Sequence, residues 1–275
     1  MWVLFFANIL FSITLLAGEQ FLRVINDKPE SEFIYIFCHG FGGNHKHAYP
    51  YLKGYLSGQR FLIPHSLVTF DFPDADTAFQ FPDITQASIA QDDDIAQLQE
   101  VITWVTTLYP KRKIVLIGVS RGASVIINYL GKDSSKNCRN IATAIVESPF
   151  DKVENVIRTI LSRFYLHKVP KATGITYWLL RKVCPLHAQH GPHPIDLVAN
   201  ISHEIPVLFI AGKQDGLIDY KDSQSLYSTL FFAGHTKISF LLLEHGAHGD
   251  LLWGPDGNKY QQFVQEFYTK HRVCE

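Results

Sequence analysis

The chain of 275 residues is 47% hydrophobic and 19% charged, which is typical of a single globular domain with a sizeable core. Its formal net charge of −1 excludes a general electrostatic attraction to nucleic acid or other polyanions. The sequence contains no internal repeat, low-complexity tract or long run of like charges.

The N-terminal segment MWVLFFANILFSITLLAG, residues 1–18, carries no charge before Glu19. Its apolar stretch of about 16 residues is shorter than the roughly 20 that a membrane-spanning helix needs. The stretch fits the apolar region of a secretory signal, with Ala17 and Gly18 as a small-residue cleavage neighbourhood, although the usual basic residues before it are missing. We rank a cleaved signal peptide first, an uncleaved membrane anchor second and a buried first strand third. The first two interpretations predict a secreted or membrane-associated protein whose folded domain comprises residues 19–275.

From residue 32 onward, apolar runs that are typical of buried strands alternate with helical patterns. One helix is predicted within 89–110, where apolar residues recur at a spacing of three to four from Ile95 to Val105, and another over 121–131. Continuous apolar strands that alternate with helices predict an α/β fold with a mainly parallel sheet flanked by helices on both faces. The predicted strands are EFIYIFC (32–38), SLVTFDFPD (66–74), KIVLIGVS (113–120), IATAIVESP (141–149), IPVLFIAG (205–212) and KISFLLLEHG (237–246).

Residues 151–203 interrupt this alternation with aromatic residues, prolines and no convincing strand. We interpret them as a small helical cap inserted between two strands of the sheet. Between 152 and 182 the segment carries seven basic residues against one acid, Glu154. This pattern fits a solvated helical surface, and it also fits a basic, aromatic lid that meets anionic lipid surfaces or acidic substrates. The basic residues are Lys152, Arg158, Arg163, Lys168, Lys171, Arg181 and Lys182.

Ser120 lies between two glycines, directly after a predicted strand, in IVLIGVSRGAS (114–124). The pattern G-x-S-x-G between a strand and a helix is typical of a nucleophile elbow, in which the serine adopts strained dihedral angles and small neighbours let the backbone pass closely. Such a turn exposes the serine Oγ at the carboxyl end of the sheet, beside a helix N-terminus that favours negative charge. An ordinary strand-to-helix turn is the alternative interpretation.

A serine nucleophile needs a base that accepts its proton and a third group that orients the base. Asp215 follows the predicted strand IPVLFIAG, and His248 follows the predicted strand KISFLLLEHG. Both residues therefore lie in loops at the carboxyl ends of strands. Ser120, Asp215 and His248 occur in a chain order that is known for catalytic triads, so we predict that they form one.

Four motifs together resemble an α/β-hydrolase-fold serine hydrolase of the broad esterase, lipase and serine-peptidase type. They are CHGFGG (38–43), GVSRGAS (118–124), AGKQDGLID (211–219) and EHGAHGD (244–250). The resemblance covers nearly all of residues 30–270 and rests on the order and the strand contexts of the motifs. It does not determine a subfamily.

The resemblance implies that HGFGG opens an oxyanion loop, in which the backbone N–H of Phe41 pairs with that of Arg121 as the oxyanion hole. A donor of this kind stabilises the tetrahedral oxyanion by about 3–4 kcal/mol in other enzymes. No metal or organic cofactor is required. The apolar, aromatic cap and the lack of room for a large accessory domain favour a carboxylic ester with an apolar acyl or alcohol group. The alternatives are a serine peptidase or aminopeptidase-like hydrolase, and a non-catalytic binding protein on a hydrolase scaffold.

Two residues compete with members of the predicted triad. His245 lies in the same motif as His248, but similar enzymes place the base in a G-x-H context, which favours His248. Asp219 competes with Asp215, which lies nearer to the strand end. We therefore keep Asp215 and His248.

Other histidines and cysteines have structural interpretations. We predict that His39 braces its loop and that the histidines of CPLHAQHGPHP belong to a polar surface loop rather than a metal site. Cys38 ends an apolar strand and is predicted to be a small buried hydrophobic residue. The spacing of the cysteines supports no metal site. Disulfide pairing among Cys138, Cys184 and Cys274 in an oxidising compartment stays open, and no particular pair is predicted.

Overall fold

The computed structural model describes residues 22–25, 31–51, 66–72, 75, 88–132, 140–163, 171–183 and 191–273. The predicted signal or anchor segment, residues 1–18, lies outside the described residues, so its interpretation stays a prediction. The cysteines Cys138, Cys184 and Cys274, and the histidines His187 and His190 of CPLHAQHGPHP, also lie outside the described residues. Their interpretations stay predictions.

The described residues form a central seven-stranded sheet with the order β1-β3-β2-β4-β5-β6-β7. All neighbouring strands pair in parallel except β1, which is antiparallel to β3 at one edge. The predicted, mainly parallel sheet is therefore confirmed, and the short strand β1 is an addition that the sequence did not predict. The strands are β1 (Leu22–Ile25), β2 (Phe33–Cys38), β3 (Ser66–Phe70), β4 (Lys113–Val119), β5 (Ile141–Glu147), β6 (Val207–Gly212) and β7 (Ile238–Leu243).

Helices follow β3, β4, β5, β6 and β7 in the chain and cover both faces of the sheet. Within the part of the chain that the structure describes, no helix combines the length and the apolar character needed to cross a membrane. The helices are α1 (Asp92–Leu108), α2 (Arg121–Lys132), α3 (Val153–Arg163), α4 (Ala172–Val183), α5 (Pro194–Leu197), α6 (Tyr220–Phe232) and α7 (Gly257–His271), with 3₁₀ turns at His45–Ala48 and Val198–Asn200.

The central strands are apolar along their whole length because both of their faces are buried. Ile34 and Ile36 of β2 point into a core that they share with apolar residues of α1, α2 and α6. Tyr35 and Phe37 point into a second core on the other face, where α7 covers the sheet. The continuous apolar pattern therefore reflects two cores rather than a single one.

The segment between β5 and β6 holds α3 and α4, which we call the cap helices. Downstream of them, Val198, Ile201 and Ile205 are buried in the core that contains α2. The described part of the segment thus leaves the sheet as helix and returns to the domain body before β6. The extent of the cap as a separate insertion stays a prediction.

The turn at Ser120 brings the start of α2 into direct backbone contact with the end of β2. A Cβ placed on Gly122 would lie 2.1 Å from the carbonyl oxygen of Cys38, and one on Gly118 would lie 2.6 Å from the carbonyl carbon of Gly122. No side chain fits at these distances, so glycine is required at both positions. The contact joins the loop after β4 to the loop after β2.

Replacing Gly122 by alanine should therefore destabilise the protein, because the added methyl group meets backbone that cannot move aside. We expect a loss of about 1–3 kcal/mol or more in the free energy of unfolding, measured by urea denaturation. Gly174→Ala in α4 is the matched control. A Cβ there meets nothing within 4 Å, and the change should stabilise the helix by about 0.5–1 kcal/mol. Equal stability of the Gly122→Ala variant and the parent would contradict the packing described.

Candidate active site

Ser120 sits on a strained turn between β4 and α2. Its φ angle is +55°, in the left-handed region that a residue with a side chain rarely adopts. Its amide donates a hydrogen bond of 2.8 Å to the carbonyl oxygen of Glu147, and its own carbonyl accepts one of 3.1 Å from the amide of Ser124. Only 6% of Ser120 is exposed, and it lines a cavity. The geometry is that of a nucleophile elbow.

Asp215 and His248 form a hydrogen-bonded pair beside this cavity. The Nδ1 atom of His248 lies 2.8 Å from Oδ2 of Asp215. The other carboxylate oxygen, Oδ1, accepts hydrogen bonds of 2.9 Å from the amides of Leu217 and Ile218. Asp215 is thus fixed by its own loop and holds the imidazole in one orientation.

The loops that carry this pair touch each other directly. A Cβ placed on Gly212 would lie 2.1 Å from the carbonyl oxygen of Gly246. The same carbonyl accepts a hydrogen bond of 3.1 Å from the amide of Gln214. This backbone contact brings Asp215 and His248 close together although 33 positions separate them in the chain.

The ionisation of Asp215 defines the tautomer of His248. Burial by itself raises the pKa of Asp215, but the hydrogen bonds from His248 and from the amides of Ile218 and Leu217 outweigh that effect and leave the pKa below its usual value. An ionised carboxylate can only accept, so Nδ1 of His248 carries the proton. Nε2 is then the basic nitrogen, and His248 lines the same cavity as Ser120.

The two residues that were predicted to supply oxyanion donors also line this cavity. Phe41 lies in the loop after β2, and Arg121 is the first residue of α2. The first four N–H groups of an α-helix make no hydrogen bond within the helix. The structure therefore brings Phe41, Arg121, Ser120 and His248 to one place.

The competing residues have other partners. His245 lies with Nδ1 at 3.4 Å from Oδ1 of Asp256, and its amide donates a hydrogen bond of 2.7 Å to the same carboxylate. Asp219 is the N-cap of α6 and accepts a hydrogen bond of 3.0 Å from the amide of Lys221. Neither His245 nor Asp219 is among the described residues that line the cavity.

The cavity has a volume of about 540 Å³ and a lining that is almost entirely apolar. One face of α3 forms a wall, because its residues at a spacing of three to four point inward. Residues of the loop after β6 and of the loop after β7 also line the cavity. The apolar lining residues are Phe37, Phe41, Pro50, Ile89, Val119, Phe150, Val153, Val156, Ile157, Ile160, Leu217, Ile218, Leu252 and Trp253.

A buried carboxyl group next to the elbow was not predicted. Glu147 ends β5 with 1% of its surface exposed. One oxygen accepts a hydrogen bond of 3.0 Å from the hydroxyl of Tyr51 in the cavity wall, and the other accepts one from the hydroxyl of Tyr260 in α7. Burial raises the pKa of Glu147 to about 7, although both hydroxyls act in the opposite direction. A charged residue at the end of an otherwise apolar strand, AIVES, was the available signal.

Comparisons with known proteins yield distant relatives. No model of a known protein family matches the chain. A Mycoplasma genitalium protein with the provisional name esterase/lipase 1 is 26% identical over 57% of this chain and 67% of that protein. Among solved structures, the Pyrococcus furiosus esterase Pf2001 aligns with a TM-score of 0.62 at 19% identity, covering 88% of this chain and 84% of that one.

Two further structures belong to a lipase and a peptidase. A Paleococcus ferrophilus monoacylglycerol lipase aligns with a TM-score of 0.60 at 13% identity and covers 92% of this chain and 99% of that one. The acylaminoacyl peptidase of Pyrococcus horikoshii aligns with a TM-score of 0.65 at 16% identity, covering 94% of this chain but 40% of that one. At such identities the likeness establishes a shared fold.

The raised pKa of Glu147 predicts that stability falls as the pH rises. In the unfolded chain this group titrates near 4.5, whereas in the folded protein it titrates near 7. The unfolded state therefore loses its proton first, and the stabilising contribution present below pH 4.5 is lost as the pH rises through 7. The difference corresponds to about 3 kcal/mol. Urea denaturation between pH 4.5 and 7.5 measures this loss of unfolding free energy, and Glu147→Gln should remove about 3 kcal/mol of it.

Asp222 provides the control for this measurement. Burial, together with the nearby charges of Asp151 and Asp219, raises its pKa to about 7 as well. Asp222→Asn should therefore remove a separate part of the fall in unfolding free energy with pH. In the double variant, the unfolding free energy should depend less on pH than in either single variant. A Glu147→Gln variant with the parental slope would show that Glu147 is already ionised in the folded protein at pH 5.

Proposed function

We propose that this chain, which has the α/β-hydrolase fold, is a serine hydrolase that cleaves carboxylic esters through an acyl-enzyme. The observation that carries the proposal is the meeting of Ser120 with the hydrogen-bonded pair His248 and Asp215 at one apolar cavity. These residues come from loops after three different strands. The likeness to proteins named as esterases and lipases supports a hydrolase of this type.

In the proposed reaction, Oγ of Ser120 attacks the ester carbonyl while Nε2 of His248 takes the hydroxyl proton. Asp215 holds the imidazole and stabilises its charged form. The amides of Phe41 and Arg121 donate to the oxyanion of the tetrahedral intermediate. The C–O bond then breaks, and His248 gives its proton to the leaving alcohol. Water, activated by the same histidine, hydrolyses the acyl-enzyme and releases the carboxylic acid.

The cavity supports an apolar substrate group. A volume of about 540 Å³ lies in the range of small-molecule sites. Because its walls are apolar, transfer of an alkyl or aryl group from water contributes about 0.8 kcal/mol for each buried methylene. An acyl chain or an apolar alcohol satisfies this lining, whereas a peptide backbone would leave polar groups without partners. A peptidase remains the second candidate, supported by the structural likeness to the acylaminoacyl peptidase.

Replacement of the proposed nucleophile and base tests the reaction. Ser120→Ala and His248→Ala should each lower kcat for a nitrophenyl ester by about 10⁴-fold or more, and a fluorophosphonate probe should label the parent but not Ser120→Ala. His245→Ala is the matched control and should retain activity within about threefold, because His245 pairs with Asp256 away from the cavity. If His245→Ala loses activity and His248→Ala does not, the base is His245.

A substrate panel separates the candidate functions. Nitrophenyl esters of increasing acyl length should turn over faster than aminoacyl amides, with the preference extending beyond acetyl. Faster turnover of amides than of every ester would favour the peptidase. A well-folded parent that no fluorophosphonate labels would favour a non-catalytic binding protein.

We further propose that the cap helices meet an anionic lipid surface. Ile175, Trp178 and Leu179 of α4 are 53%, 58% and 49% exposed at a spacing that places them on one face of the helix. Lys171, directly before α4, and Lys182, within α4, are also exposed. Apolar side chains flanked by basic ones are the pattern of interfacial helices.

Two exposed apolar side chains also line the cavity. Ile160 of α3 is 39% exposed and also lines the cavity, and Trp253 is 46% exposed at another part of the lining. An apolar substrate could therefore pass from a lipid surface to Ser120 along apolar side chains. This arrangement supports a protein that works at a membrane surface.

Vesicle sedimentation tests the lipid proposal. The protein should bind vesicles with anionic lipid more tightly than neutral ones, and binding should weaken in high salt because surface charges are screened. Trp178→Ser combined with Ile175→Ser should reduce binding, whereas Phe232→Ser, at an 83% exposed residue of α6, should not. Lys171→Glu with Lys182→Glu should remove the salt dependence, with Lys111→Glu as the control. Equal binding to both vesicle types would reject the proposal.

A further inference from the structure

One carbonyl oxygen in the loop after β2 is held by three donors. The oxygen of Gly40 accepts hydrogen bonds from the amide of Gly43 at 3.1 Å, from Nδ1 of His39 at 2.8 Å and from Nη2 of Arg121 at 3.4 Å. The backbone bond belongs to the turn of the loop. The two side chains lie outside the turn: His39 directly precedes it, and Arg121 belongs to α2.

The tautomer of His39 follows from its surroundings. Its Nε2 accepts a hydrogen bond of 3.0 Å from the amide of Phe72, so this nitrogen carries no proton. Burial, with the positive charge of Arg121 nearby, lowers the pKa of His39 to about 3. The ring is therefore neutral with its proton on Nδ1, and it donates to the carbonyl of Gly40.

The direction of the Gly40 carbonyl defines the direction of the Phe41 amide. In a planar, trans peptide unit, the carbonyl and the following N–H point in opposite directions. Holding the oxygen of Gly40 from one side therefore aims the N–H of Phe41 to the other side. A Cβ placed on Gly40 would lie 3.4 Å from Cβ of Ser120, so this peptide stands directly beside the nucleophile. Donation to the carbonyl also polarises the peptide and strengthens its N–H as a donor.

Arg121 is itself rigidly held. Its surface is 0% exposed, and Nη1 donates a hydrogen bond of 3.1 Å to the carbonyl oxygen of Ser88. The guanidinium carbon lies 4.5 Å from the ring centroid of Phe72 and 5.6 Å from that of Phe41. Two aromatic rings and two backbone carbonyls thus define its position, and one of the rings belongs to the residue whose amide is to be aimed.

We propose that the guanidinium of Arg121 is a positioning residue for the oxyanion hole, which orients the Phe41 amide by holding the carbonyl of Gly40. Arg121 then acts twice, through its backbone N–H as one donor and through its side chain on the other donor. Because it directly follows Ser120, it links the nucleophile elbow to the oxyanion loop. The inference rests on the proposed function.

The test uses the full chain with Arg121→Met, which keeps the bulk of the side chain but removes the charge and the donors, and Arg121→Lys, which keeps the charge without the planar fork. Both should lower kcat for an ester by about 10²-fold, the loss typical of one impaired oxyanion donor, and should change KM less than threefold. Affinity for an alkylboronic acid, whose adduct with Ser120 places an oxygen in the hole, should fall with kcat/KM. Affinity for an ether analogue without a carbonyl should not change.

Arg112→Met is the matched control, because Arg112 is also buried and donates a hydrogen bond of 2.7 Å to Ser66 Oγ far from the cavity. It should lower the unfolding temperature while leaving kcat within threefold. Rates are compared at a temperature at which every variant is folded.

Retention of kcat within threefold in folded Arg121→Met and Arg121→Lys would overturn the proposal. So would equal losses of affinity for the boronic acid and the ether, since these indicate a deformed cavity rather than a misaimed donor. Failure of both variants to fold, while Arg112→Met folds, would assign Arg121 to the core and overturn the proposal as well. A parent that no fluorophosphonate labels rejects the proposed function, whereas a labelled parent with unaffected variants rejects the role of Arg121 alone.

Discussion

Parallel pairing of the six strands β2 to β7 is the constraint on which the rest of the structure depends. It places the carboxyl ends of these strands at one edge, so that the loops after β2, β4, β6 and β7 meet there. Direct backbone contacts set their spacing, with Gly122 against the carbonyl of Cys38 and Gly212 against that of Gly246. Asp215 and His248, which are far apart in the chain, are thereby held at hydrogen-bond distance.

The polar groups around the site are buried, and hydrogen bonds compensate their loss of water. Asp215 accepts from two amides and from His248, Glu147 accepts from two tyrosine hydroxyls, and Arg121 donates to two backbone carbonyls. A buried charge without such partners would cost several kcal/mol. Since each group is held from several directions, the site has little freedom to reorganise. Preorganised dipoles of this kind are what an enzyme needs to stabilise developing charge.

The structure separates the proposed chemistry from the proposed selectivity. The loops at the sheet edge supply Ser120, Asp215 and His248, whereas α3 supplies one apolar wall of the cavity. The wall residues of α3 recur every three to four positions, so the helix can change its inner face without altering the loops.

The sequence by itself determined six of the seven described strands, the strand-to-helix turn at Ser120 and the fold class. Its strands are continuous apolar runs because both faces are buried, and the resemblance to α/β-hydrolases is confirmed for the fold. β1 escaped prediction because four residues at a sheet edge carry too short a pattern. The sequence context favoured His248 over His245, although both histidines occupy one motif, and the tertiary structure places His248 beside Asp215. Only the tertiary structure revealed that His245 lies beside Asp256. The tertiary structure also decided that Tyr51 and Tyr260 contact Glu147. Tyr51 lies 96 positions and Tyr260 lies 113 positions from Glu147 in the chain, and local sequence patterns do not encode contacts over such separations.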